Sequence, residues 1–158
     1  MSIEKIIYNN EAINLFETEL KKFTSLETGG VLMGYVKNKT VFIEKVSSSG
    51  PKAIHEPFYF KADPDFIDMY IDMEIANSDG KLRYIGEWHS HLQITPEPSI
   101  IDMDSLFEIA ESSNDFCSLL IIGAFDFEVS SFLQQSISII KYNGEQKFYS
   151  LPSAIYSR

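Results

Sequence analysis

A single cysteine, Cys117, stands in the whole chain, so neither an intrachain disulfide nor a cysteine-clustered metal site is available. Its place in an apolar strand-like run reads as an inert buried thiol rather than a nucleophile. Basic residues are scarce too, 13 lysines and arginines against 23 aspartates and glutamates, for a formal net charge of −10. Phosphates are contacted chiefly by lysine and arginine, so this balance, with no basic run to offset it, argues against nucleic acid and anionic membranes as partners. Long hydrophobic runs are missing as well. The longest, Leu119 to Phe125, is far shorter than the ~20 residues a spanning helix needs. The N-terminal MSIEKIIYNNEAINLF lacks the basic head and continuous apolar stretch of a secretory signal, and a cytoplasmic protein is expected.

What is present is the composition of a packed protein: 158 residues, 44% apolar and 23% charged. That length fits one domain spanning 1–158, and no repeat, low-complexity tract or linker divides it. Residues 3–8 read as a short strand, and Asn9 and Asn10 offer a cap for a helix, EAINLFETELKKF. ETGGVLMGYV reads as a strand, KNKT as a turn, and VFIEKV as a second strand. After a loop from Ser47 to Pro51, EPFYF predicts another strand, and Asp63-Pro64 opens a helix closing at SDG. LRYIGEWHSH is strand-like, SIIDMDSLFEIAES helical, and CSLLIIGAFDF and FLQQSISIIKYN are strands. Intermingled helices and strands predict an α/β (α+β) fold, one mixed β-sheet flanked by helices.

The chain has three histidines, and two of them, His89 and His91, are one residue apart. On a helix they would point in nearly opposite directions; on a strand they share a face. Their backbones then lie about 7 Å apart at a rise of about 3.3 Å per residue, close enough for both imidazoles to reach one metal ion. A hydrolytic zinc site needs a third donor and keeps a position for water. Asp102 is the nearest anchored carboxylate downstream, and Pro96 and Pro98 favour a turning path that returns it over the strand end. The plainer reading is a polar strand end followed by Ser99-Ile-Ile-Asp102 as a capping box, and the two roles do not exclude each other. No H-E-x-x-H helix occurs, and a deaminase-type zinc site fails for want of paired cysteines. His55, in a loop, reads as a surface residue.

These residues resemble the JAMM motif of the JAB/MPN metalloprotease family: a glutamate on an early strand, H-[ST]-H, seven residues, serine, two residues, aspartate. Here it stands as Glu27 in ETGGVLMG, His89-Ser90-His91, Ser99 and Asp102. The order of elements across residues 3–142 is similar to the family's core, and the fold implied is a JAB/MPN-like sheet of cytidine-deaminase-like architecture. Leu92 replaces the family's proline after the second histidine, a departure that removes no ligand.

The resemblance implies one catalytic Zn²⁺ held by His89, His91 and Asp102, Glu27 as general base, and Ser99 as donor to the oxyanion. Glu87, on the same strand face as the histidines, is a rival base or a partner that orients an imidazole. Trp88 faces the other way, toward the core. Gly29 and Gly30 serve either a close backbone approach or a turn or bulge in the strand. The family cleaves peptide or isopeptide bonds after the C-terminal tail of a ubiquitin-like protein. ETGGVLMGY and GEWHSH are similar to stand-alone bacterial JAB proteins encoded beside E1-like and E2-like proteins in CBASS-type antiphage operons, where the conjugated protein is a CD-NTase. A non-catalytic MPN scaffold and a RadC-like DNA-associated protein are the other classes considered. The first would lack motif residues, and the second sits poorly with the charge.

Overall fold

The computed structural model describes residues 3–92, 97–112, 116–123, 136–142, 149–151 and 153–156. Strands β1 (Lys5–Asn9), β2 (Gly29–Lys37), β3 (Thr40–Val46), β6 (Arg83–His91), β7 (Phe116–Gly123), β8 (Ser136–Tyr142), β9 (Tyr149–Leu151) and β10 (Ser153–Tyr156) form one sheet in the order β10-β1-β3-β2-β6-β7-β8-β9. The sheet is mixed: β1 runs parallel to both neighbours and β6 parallel to β7, while the remaining pairs are antiparallel. Helices α1 (Asn10–Lys22), α2 (Pro64–Asn77) and α3 (Ile100–Ser112) complete it, with a small separate hairpin of β4 (Ile54–Glu56) and β5 (Tyr59–Lys61). Among the described residues no helix is long and apolar enough to cross a membrane.

Local chemistry sets the element ends. Asn9 caps α1 by accepting from the Ala12 N–H at 3.0 Å, and its amide donates to the buried Glu44 carboxylate at 2.8 Å. Asp63 caps α2, with Pro64 in the first turn, where its missing N–H costs nothing. Asn38 and Lys39 both take positive φ, 50° and 61°, the backbone a tight two-residue hairpin between β2 and β3 requires.

One face of the sheet is covered by α1. Phe16 packs edge-on against Tyr8 and Trp88 at ring-centroid distances of 6.0 and 4.9 Å, and all three are buried. Each such side chain contributes about 1.5–3 kcal/mol by leaving water. Ile85 and Trp88 both enter this core although they are three residues apart, which strict alternation forbids. The pairing explains it: β2 and β6 shift register at Leu32/Met33, so Ile85 is an extra residue that re-phases β6. Strand β3 repeats the device at Glu44, allowing Ile43 and Val46 to share the core.

EPFYF is therefore not one strand. Glu56 and Tyr59 belong to opposite arms of the β4–β5 hairpin, with Pro57 and Phe58 at its turn. His55 lies on β4 instead of in a loop. Strands β9 and β10 have no counterpart in the sequence reading. Within the proposed strands, 124–127, 132–135 and 143 lie outside the described residues, as do 93–96 of the proline loop. Cys117 lies on β7.

Candidate active site

Downstream of its bulge, β6 is regular, and Glu87, His89 and His91 share the sheet face opposite α1. Two glycines make the approach of β2 possible. A Cβ on Gly29 would collide with the Trp88 carbonyl, the Phe60 ring and His89 Cβ, and one on Gly30 with the Ser47 carbonyl and hydroxyl. Close approach is thus what both glycines serve. On the opposite face, Trp88 donates its indole N–H to the Ser47 carbonyl at 3.0 Å.

The two imidazoles converge. His89 Nε2 and His91 Nε2 are 3.0 Å apart, and each lies 3.1 Å from a different oxygen of Asp102. Asp102 reaches them from the first turn of α3, where it is also half of a capping box. The Ser99 N–H donates to Asp102 Oδ2 at 2.8 Å and the Asp102 N–H to Ser99 Oγ at 3.0 Å. The capping box expected for Ser99-Ile-Ile-Asp102 is formed, and it leaves the Asp102 carboxylate facing both imidazoles. Because Ser99 Oγ accepts there, its own O–H proton is available to donate elsewhere.

Two nitrogens and a carboxylate so arranged fit a single metal ion. All three ligand atoms lie within 4.8 Å of one another. Tetrahedral bonds of about 2.0 Å place ligand atoms about 3.3 Å apart, near the spacing found here. Burial raises the Asp102 pKa, but hydrogen bonds from His89, His91 and the Ser99 N–H outweigh it and hold the carboxyl well below the usual carboxylate range. Burial lowers that of His91, and the bond to Asp102 with the charges of Asp102 and Glu27 more than reverses it.

Glu27 sits just before β2 rather than on it, correcting the expected strand position. Its N–H donates to the Glu56 carbonyl at 2.8 Å and its carbonyl accepts from His55 Nδ1 at 2.9 Å. The next residue is tied to the other side: the Thr28 N–H donates to Ser90 Oγ at 3.0 Å, and the Ser90 N–H to the Thr28 carbonyl at 2.8 Å. Burial pushes the Glu27 carboxyl up, His91 and His89 pull it down, and Asp102 adds to the rise, leaving it above the ordinary glutamate value. Glu87 is raised by burial against the pull of His89. Glu27, Glu87, His89, His91, Ser99 and Asp102 all line one cavity of about 770 Å³. Its walls are the β4–β5 hairpin (Phe58, Tyr59, Phe60), α2 (Ile67) and α3 (Leu106, Ile109).

The sequence carries no periodic signal that ties Ser90 or His55 to Glu27. A serine between two strand histidines faces the opposite side, and Ser90 is fully buried there, which obliges its hydroxyl to find a partner. Ser90→Ala leaves the Thr28 N–H without that acceptor. The expected loss is about 1–3 kcal/mol of stability, measured from the urea midpoint.

The model of prokaryotic homologues of the JAB domain matches residues 11–135. The chain is 24% identical over 136 residues to a CD-NTase/cGAS isopeptidase of Escherichia coli, covering 86% of each protein. It is 34% identical over 113 residues to a probable metalloprotease, y4qB, of Sinorhizobium fredii, covering 68% of each. A solution structure of a Desulfitobacterium hafniense protein shares the fold, with a TM-score of 0.68 at 16% identity over 97% of this chain and 94% of the other. This chain belongs to the prokaryotic JAB-domain family.

Proposed function

We propose that the chain is a zinc-dependent peptidase or isopeptidase that cleaves after the C-terminal tail of a ubiquitin-like or conjugated protein. The observation that carries this reading is the convergence of His89, His91 and Asp102 in the cavity that also holds Glu27. His89 Nε2, His91 Nε2 and an Asp102 carboxylate oxygen would hold the ion. When bound, zinc polarises a carbonyl and lowers the pKa of water from about 15.7 to about 7.

The chain's own residues supply the rest. Glu27, whose carboxylate lines the same cavity as the histidines, takes a proton from the attacking water and delivers it to the leaving amine. Ser99 offers its O–H to the oxyanion of the scissile carbonyl. The hairpin, α2 and α3 enclose an extended tail along the cavity and limit bulk water. The E. coli relative is named a CD-NTase/cGAS isopeptidase, which supports a CD-NTase conjugate as the substrate; a place beside E1-like and E2-like proteins in an antiphage conjugation system rests on the resemblance of the ETGGVLMGY and GEWHSH segments alone.

The test is incubation of purified protein with reporter proteins fused after CD-NTase or ubiquitin-like C-terminal tails. Cleavage after the tail is expected, abolished by a chelator and restored by added zinc. Cleavage that persists after the metal has been stripped refutes the zinc mechanism.

A further inference from the structure

We propose that His55 is a positioning residue that fixes the catalytic base through its backbone; the inference rests on the reading of Glu27 as base. Both polar groups of the Glu27 peptide are held by consecutive residues of β4, the N–H by the Glu56 carbonyl and the C=O by His55 Nδ1. A carbonyl only accepts, so Nδ1 carries the proton. In the neutral ring Nε2 is then an acceptor, and the hydroxyl of the buried Ser49 lies 3.2 Å from it, placed to donate.

The ring plane is fixed as well. His55 stacks on Phe23, just past the end of α1, at 3.8 Å and 11°, and Phe60 closes on it from the facing arm of the hairpin at 5.6 Å. The Phe60 ring in turn abuts Gly29, which pairs with His89 across β2 and β6. The hairpin thus touches the base through the Glu27 peptide and the metal-binding strand through Gly29. Thr28 is independently pinned to β6 by Ser90, so losing the His55 contact loosens Glu27, leaving its N–H bond to Glu56, without detaching the segment from the sheet. His55 itself acts on the reaction only through Glu27.

His55→Phe keeps a stacking ring and removes the N–H, whereas His55→Asn returns an N–H donor near the Nδ1 position. Each is assayed on the tail fusion that the wild-type chain cleaves. For His55→Phe the expected result is a kcat lower by up to about 10²-fold, the loss that a misplacement of about 1 Å carries, with unchanged KM and zinc content. His55→Asn is expected to recover most of that loss. Wild-type kcat in His55→Phe, or a His55→Asn protein as slow as His55→Phe, overturns the inference. Should His55→Phe not fold, Ser49→Ala takes its place, with a lower kcat at unchanged KM expected and wild-type kcat overturning. Glu27→Gln runs alongside. If it is inactive while His55→Phe is fully active, only the role of His55 falls; if Glu27→Gln is active, or the wild type cleaves no fusion, the proposed function falls and this inference with it.

Discussion

Glu27→Ala and Glu27→Gln are expected to slow cleavage by about 10²–10⁴-fold, the contribution of a positioned general base, while zinc stays bound at wild-type stoichiometry. Glutamine preserves the shape of the side chain and removes only its ability to take a proton, so its defect isolates proton transfer from packing. Glu87 is the rival, lining the same cavity and sharing the strand face of the histidines. Their surroundings differ in a way that favours Glu27. Glu27 lies among the charges of His91, His89 and Asp102, whereas at Glu87 burial dominates and the charge of His89 opposes it. Glu87→Gln is accordingly expected to retain most activity. Single-turnover rates beside metal analysis read both variants, and an active Glu27→Gln with an inactive Glu87→Gln would exchange the roles.

Asp102→Asn should cost more zinc affinity than the ~10–100-fold that loss of a partner outside the ligand set typically costs, because a charged donor disappears. Its amide oxygen can still accept from the Ser99 N–H, so the start of α3 is expected to survive. Ser99→Ala should do the reverse. Zinc is kept, the lost cap lowers stability by about 1 kcal/mol, and the missing oxyanion donor lowers kcat by about 10²–10³-fold. Equilibrium zinc titration and thermal melting on the same two proteins separate the capping box from the metal site, although the two share a carboxylate. Equal zinc affinity in Asp102→Asn and wild type would remove Asp102 from the ligand set.

Much of this was legible because it is local. The Asn9 cap, the KNKT turn and the Asp63-Pro64 helix start each depend on a few adjacent side chains or φ preferences. Among the candidate site residues, His89, His91 and Asp102 stood out by strand and helix offsets, whereas Glu27 and Ser99 took their roles from the family resemblance. Tertiary pairing hid the rest. Three-residue strands such as β4, β5 and β9 are too short for alternation to register. His55 carries no periodic signal, since its partners are Ser49 and the backbone of Glu27. The bulge in β6 is invisible without its partner β2. LRYIGEWHSH reads as an unbroken strand, yet the core positions Ile85 and Trp88 fit only if one residue is extra.

That extra residue bears on how the chain can change length. Removing one residue from β6 between Trp88 and His91 turns everything beyond the cut to the opposite face, sending one imidazole toward the α1 core. A deletion at Ile85/Gly86 instead absorbs the bulge, and the order of faces on either side is preserved. Related sequences that differ by a single residue in this strand should therefore differ there, where the alignment gap is silent for the histidine face.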